Sequence, residues 1–130
     1  MSAMKQSDSI IHRKSYVFAL EIITTYKYLT GEKKEFILSK QLLRCGTSIG
    51  ANVNEAVSSE SKRDFVHKLS IALKEAKETN YWLNLLCDSN YLLIDQFEKL
   101  MHLCTEIIKI LSSIILTTKT KYFPQLPINS

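Results

Sequence analysis

A chain of 130 residues, 45% of them apolar, is one domain long enough to bury its own core. It holds only three Gly and two Pro, both Pro near the C-terminus, so long helices are expected rather than a sheet. Seventeen basic residues against thirteen acidic leave a net charge of +4, which permits nucleic-acid contact without demanding it.

Residues 1–8 are polar, and a first helix is expected from about Ser9 to Thr30, with Asp8 or Ser9 as its cap and Gly31 as its stop. Ile11, Ser15, Phe18, Ile22, Thr25 and Leu29 recur at spacings of three and four and make a core stripe. Tyr16, Leu20 and Ile23 make another on the opposite side, and a helix that is apolar on two sides is buried on two sides.

After a short polar turn, GEKKE at 31–35, a second helix is expected over about 34–57, and it carries the densest pattern in the chain. Leu38, Leu42, Cys45, Ile49, Val53 and Ala56 form its apolar stripe, while Gln41, Arg44, Ser48, Asn52 and Glu55 recur beside them as a polar one. Arg44 and Glu55 are about three turns apart, too far to pair, so each needs a partner on another helix or subunit. Glu75 and Glu78 are the candidates, and the set is expected to be a structural network that sets helix register rather than a ligand site. Gly46 and Gly50 lie one turn apart. Each costs about 1 kcal/mol against Ala inside a helix, which predicts close approach by a neighbouring backbone.

The SSES segment at 58–61 breaks the chain, with Ser59 or Ser61 as the next cap and Asp64 in the following first turn. A third helix over about 61–87 uses Phe65, Leu69, Ala72, Leu73, Ala76, Leu83 and Leu86, with Ile71, Trp82 and Leu85 off its main seam. The turn DSNYL at 88–92 leads to a fourth helix over about 95–118, on Phe97, Leu100, Met101, Cys104, Ile107, Ile108, Leu111, Ile114 and Ile115. Leu103 and Ile110 widen that stripe. The segment 119–130, KTKYFPQLPINS, is expected to be an extended or disordered tail. The longest apolar run, Ile107 to Leu116, is interrupted by Lys109 and two serines and is too short to span a bilayer. Short connections force antiparallel neighbours, so the expected fold is an all-α, up-and-down four-helix bundle. The surplus apolar groups Tyr16, Leu20, Ile23, Ile71, Trp82, Leu85, Leu103 and Ile110 sit on different helices. They predict a lateral, heterologous contact between copies, which closes into a ring where the rotation fits.

The order Q-L-x-R-x-x-x-S-I-x-x-N-V-x-E-A, followed by SKRDFVHKLSIALKEAKETNYWL, resembles the 23S ribosomal RNA intervening-sequence proteins. The likeness runs from about Tyr16 to Leu116, with its core between Phe36 and Leu86. It implies an up-and-down bundle that assembles into a ring, typically a pentamer, without enzymatic activity. It also implies kinship with an accessory protein of diversity-generating retroelements that binds nucleic acid and a reverse transcriptase.

Catalytic and metal chemistry find little footing. A di-iron bundle needs two Glu-x-x-His pairs and two further carboxylates, whereas this chain offers only Asp64-x-x-His67 at a helix start. His12 sits near the N-terminus, and His102 follows Lys99 by three residues. Ser48 has no His partner within its helix, and Glu75 and Glu78 interleave with Lys74 and Lys77 as surface pairs do. No enzyme, metal or cofactor is expected. Cys45, Cys87 and Cys104 are widely spaced in apolar surroundings, which predicts free thiols in a reducing cytoplasm. The N-terminus lacks the apolar segment of a secretory signal.

Cations fall in sets: Lys5, Arg13 and Lys14; Lys33, Lys34 and Lys40; Lys62, Arg63 and Lys68; and the smaller Lys119 and Lys121. The first and third share one pole of an up-and-down bundle, and Lys5, Arg13, Lys14, Lys62, Arg63 and Lys68 are the expected nucleic-acid contacts. Tyr91, Tyr122 and Phe123 are scattered, so no aromatic stacking platform is expected. The function expected is a non-catalytic, ring-forming oligomer whose basic face contacts structured RNA. A protein-binding adaptor with no nucleic-acid role is the alternative.

Overall fold

The computed structural model describes residues 6–125, so Lys5 lies outside the described residues. Four helices follow in order: α1 Gln6–Gly31, α2 Leu38–Val57, α3 Lys62–Asp88 and α4 Ile94–Tyr122. The connections, residues 32–37, 58–61 and 89–93, are too short for anything but antiparallel reversal. Helix α1 packs on α2 and α4, α3 packs on the same two, and neither diagonal pair brings its Cα atoms within 8 Å. The result is a square up-and-down bundle. One pole gathers the starts of α1 and α3 with the ends of α2 and α4; the other gathers the remaining ends.

Each helix turns inward the stripe its period marks. On α1 the buried set is Ile11, Ser15, Phe18, Ile22, Thr25 and Leu29. The hydroxyls in that stripe are satisfied locally: Ser15 Oγ donates to the His12 carbonyl at 3.1 Å and Thr25 Oγ1 to Glu21 at 2.8 Å. Helix α3 buries Val66 and Thr79, whereas Phe65 and Leu73, expected in its core stripe, are half-buried at the edge of the core. Thr79 can be buried because its Oγ1 donates to the Glu75 carbonyl at 2.7 Å. Among the described residues α4 is the one helix long and apolar enough to cross a bilayer, which the short run Ile107 to Leu116 did not suggest, but its Leu100, Cys104, Ile107, Leu111, Ile114 and Ile115 are buried against the other helices.

Helix ends differ from the period-based bounds for identifiable reasons. Helix α1 is already helical at Gln6, which puts Asp8 in its first turn rather than at its cap. Helix α2 starts at Leu38, four residues later than expected. Lys34 takes a left-handed backbone with φ of 54° and breaks the helix there. Glu35 is buried, and its carboxylate accepts from the amides of Ile37 at 3.1 Å, Leu38 at 2.9 Å and Ser39 at 2.7 Å. Ser39 Oγ returns a bond to the Glu35 carbonyl at 2.8 Å. Burial on its own would raise the Glu35 pKa, but the amides of Leu38, Ser39 and Ile37 outweigh it and hold the carboxyl below its ordinary value of 4.5. Of the two candidate caps for α3, Ser61 serves, its Oγ accepting from Asp64 N at 3.0 Å. Helix α4 continues to Tyr122, so residues 119–122 are helical rather than tail. Residues 126–130 lie outside the described residues.

The glycines of α2 sit where α1 comes closest. A Cβ on Gly46 would stand 2.8 Å from Ile22 Cγ1 and 3.0 Å from both Cγ2 and Cδ1. One on Gly50 would stand 3.3 Å from the Ser15 carbonyl oxygen. At Gly46 a side chain closes the gap, and at Gly50 the backbone itself does.

Candidate nucleic-acid interface

Three surfaces of the bundle carry the residues singled out by the sequence. The first is the seam between α2 and α3. Arg44 Nη1 donates to Glu75 Oε2 at 3.3 Å, its Nη2 meets Glu78 Oε2, and its Nε lies 3.4 Å from Gln41 Oε1. Trp82 Nε1 donates to Glu78 Oε2 at 3.0 Å, which brings the indole into the same cluster. The polar stripe of α2 then divides. Asn52 Nδ2 donates to the Ser48 carbonyl at 2.9 Å within its own helix, while Glu55 accepts from Lys68 at 2.9 Å, nearer the start of α3. Among the described residues, no side-chain hydrogen bond or ion pair joins Ser48, Asn52 or Glu55 to the Arg44 cluster. These are two separate α2–α3 ties rather than one line, because the stripe is longer than the reach of any one partner.

The second surface is the flank. Tyr16 (62% exposed), Leu20 and Ile23 lie open on the outer side of α1, joined by Val17. Ile71, Trp82 and Leu85 on α3 and Leu103 and Ile110 on α4 are half-buried. A cavity of about 160 Å³ between α1 and α4 is lined by Val17, Leu103 and Ile107 with Arg13, Lys14 and Glu106.

The third surface is the pole that gathers the cations. Lys14 pairs with Glu106 at 3.1 Å and Lys68 with Glu55, whose hydrogen bond and charge lift the Lys68 ammonium above its ordinary pKa. Those two side chains tie helices together. Arg13, Lys62 and Arg63 remain exposed. Lys62 lies 5.2 Å from the centre of the Tyr122 ring and 5.8 Å from that of Phe65. Arg63 lies 5.2 Å from the Phe123 ring and Lys121 5.2 Å from that of Tyr122. By spacing along the chain Tyr122 and Phe123 are scattered aromatics. The antiparallel path of α4 returns them to the start of α3, and no local signal in the sequence encodes that return. Lys33, Lys34 and Lys40 occupy the opposite pole, away from this set.

The interior holds no comparable set. Cys104 Sγ donates to the Ala76 carbonyl at 3.3 Å, and burial, with the neighbouring Cys45, pushes its thiol up to about 12. Burial raises Cys45 as well. The two sit on diagonal helices whose Cα atoms nowhere approach within 8 Å, too far for a disulfide. Among the described residues no three His, Cys, Asp or Glu gather to hold a metal ion.

These features define an antiparallel four-helix bundle with a cationic pole and apolar flanks. The family model described as 23S rRNA-intervening sequence protein matches residues 7–113, and the chain belongs to that family. Among solved structures it is similar to a protein with unknown function from the S23 ribosomal protein family of Bacteroides thetaiotaomicron. That likeness has 51% sequence identity and a TM-score of 0.83, and covers 85% of this chain and 98% of the other. No curated protein matches the chain.

Proposed function

We propose that the protein is a non-catalytic bundle whose copies assemble side by side into a ring and contact structured RNA through the cationic pole. The observation that carries the reading is the run Tyr16, Val17, Leu20 and Ile23, left open on the outer side of a helix whose inner stripe is already filled. A bundle that works alone needs one apolar stripe per helix, and large contiguous apolar patches are rare on soluble monomers. The flank cavity between α1 and α4 offers a recess for such a side chain from a neighbour. Because the open run lies on α1 while the half-buried surplus groups lie on α3 and α4, the contact is heterologous and closes by rotation. The family resemblance points to five members, and a ring brings five cationic poles onto one object.

Light scattering in moderate salt tests assembly: five chains of 14.9 kDa give about 75 kDa, whereas a mass near 15 kDa overturns the ring. RNA contact through Arg13, Lys62 and Arg63 is electrostatic, so affinity for an RNA hairpin should fall steeply as salt rises. The alternative, a protein-binding adaptor with no nucleic-acid role, draws support from the opposite pole, where Phe36, Ile37 (76% exposed), Leu93 and Ile94 stand open. Salt-insensitive capture of a protein, with no RNA binding at low salt, would favour it.

A further inference from the structure

The cationic pole carries aromatic rings as well as charge, and the combination narrows what it can hold. Tyr122, at the last turn of α4, is 39% exposed, and the ammonium groups of Lys62 and Lys121 each lie 5.2 Å from its ring centre. Phe65 stands on the other side of Lys62, and Phe123 carries Arg63. Next to this group is a cavity of about 220 Å³, lined by Phe65 and Lys62 together with Asp8, Ser7, Ser113 and Thr117. A phosphate brings few donors to the hydroxyl and carboxylate oxygens that line this cavity beside Phe65. A neutral, flat, hydrogen-bonding group suits it better, with phosphates held outside by the cations.

We propose that this pole takes unpaired nucleotides, with a base stacked on Tyr122 beside the Phe65-walled cavity and the adjoining phosphates held by Lys62, Arg63 and Lys121. This rests on the RNA-contacting reading above and deepens it: the element recognised is a single-stranded loop or end, not a duplex. Exposed cation–ring contacts are worth a factor of about 2 to 5. Stacking of a base on an aromatic ring is worth about 5- to 150-fold in affinity. A base therefore displaces a lysine from the Tyr122 ring, and the freed ammonium turns to phosphate. Duplex RNA cannot use the ring, because its bases are already stacked on each other.

The test is fluorescence anisotropy of the full chain at low salt with two labelled probes, a ten-nucleotide oligoadenylate and a blunt RNA duplex. Tyr122→Ala should weaken oligoadenylate binding about 5- to 150-fold, Tyr122→Phe should leave it within about twofold, and neither should change duplex binding. Melting curves should show that both variants fold, since Tyr122 lies at a helix end outside the core. If Tyr122→Ala binds oligoadenylate as tightly as wild type while both probes still bind, the stacking site is overturned and the electrostatic pole survives. Should wild type bind neither probe, the RNA reading falls and takes the stacking site with it.

Discussion

Replacing Gly46 by Ala adds one methyl at the tightest point between α1 and α2. The new carbon would lie 2.8 Å from Ile22 Cγ1 and 3.0 Å from Cγ2 and Cδ1, so every branch of that side chain is in the way. Ile22 is fully buried, and a β-branched residue in a helix is held in essentially one χ1 rotamer, so it cannot swing aside. Overpacking of this kind costs about 1–3 kcal/mol. The gain in helix propensity from Gly to Ala returns about 1 kcal/mol. The net expectation is a loss of about 0–2 kcal/mol, or roughly 3–5 °C in Tm per kcal/mol for a chain of this size.

A double-mutant cycle isolates the contact. Ile22→Ala alone should cost about 2–5 kcal/mol through the cavity it leaves. In the Gly46→Ala background it should cost at least about 1 kcal/mol less, because the new methyl no longer meets an obstacle and fills part of the space. Urea titrations of the four proteins at one concentration measure this, with concentration held fixed because the proposed assembly would couple to unfolding. If the two substitutions add within about 0.5 kcal/mol, the helices do not meet at Gly46 and the close-approach argument fails.

Gly50→Leu should lower stability by about 1–3 kcal/mol because the obstacle is the Ser15 backbone, and a melt equal to wild type would count against it. Glu35 has a folded pKa below its ordinary 4.5. Its contribution is therefore present above that value and lost as pH falls through the folded one, so Glu35→Gln should flatten stability against pH on the acid side of 4.5. Unchanged acid sensitivity in the variant would refute this role for Glu35. Arg44→Ala should cost about 1 kcal/mol, since Glu75 is only 17% exposed on its side chain and loses its cation, and should shift the emission of the single tryptophan, Trp82, through Glu78. An unaltered spectrum would separate the indole from the network. Iodoacetamide at pH 8 should modify half-exposed Cys87 first and reach buried Cys45 and Cys104 only on unfolding, as peptide mapping can show.

The helices and their inner faces were legible because periodicity is a local property. The stripe Ile11 to Leu29 on α1 marks the buried set residue for residue, and the open groups Tyr16, Leu20 and Ile23 follow from the same count. Gly46 and Gly50 announced close packing because a helix bears their cost only where another chain element needs the room. Burial of Thr79 was missed although it stands three residues after Ala76 and four before Leu83, as Ser15 and Thr25 stand in the α1 stripe; its bond to the Glu75 carbonyl removes the penalty of burying the hydroxyl. The start of α2 was missed for a related reason. Glu35 looks like one more charge in GEKKE, and only the left-handed Lys34 beside it aims the carboxylate at three free amides.

What the sequence determined by itself is thus the bundle, the inner stripes and the surplus apolar groups, all of which depend on spacing along one chain segment. Tertiary structure alone decided which charges meet. Glu75 and Glu78 were only candidates for Arg44 until the seam joined them, and nothing local paired Glu55 with Lys68 or Lys14 with Glu106. Tertiary structure also drew Tyr122 and Phe123 back over Lys62 and Arg63, some sixty residues earlier in the chain. The reason is geometric: a side chain's neighbours on other helices depend on the rotation and vertical register of whole rods, and the packing of all four cores together sets both.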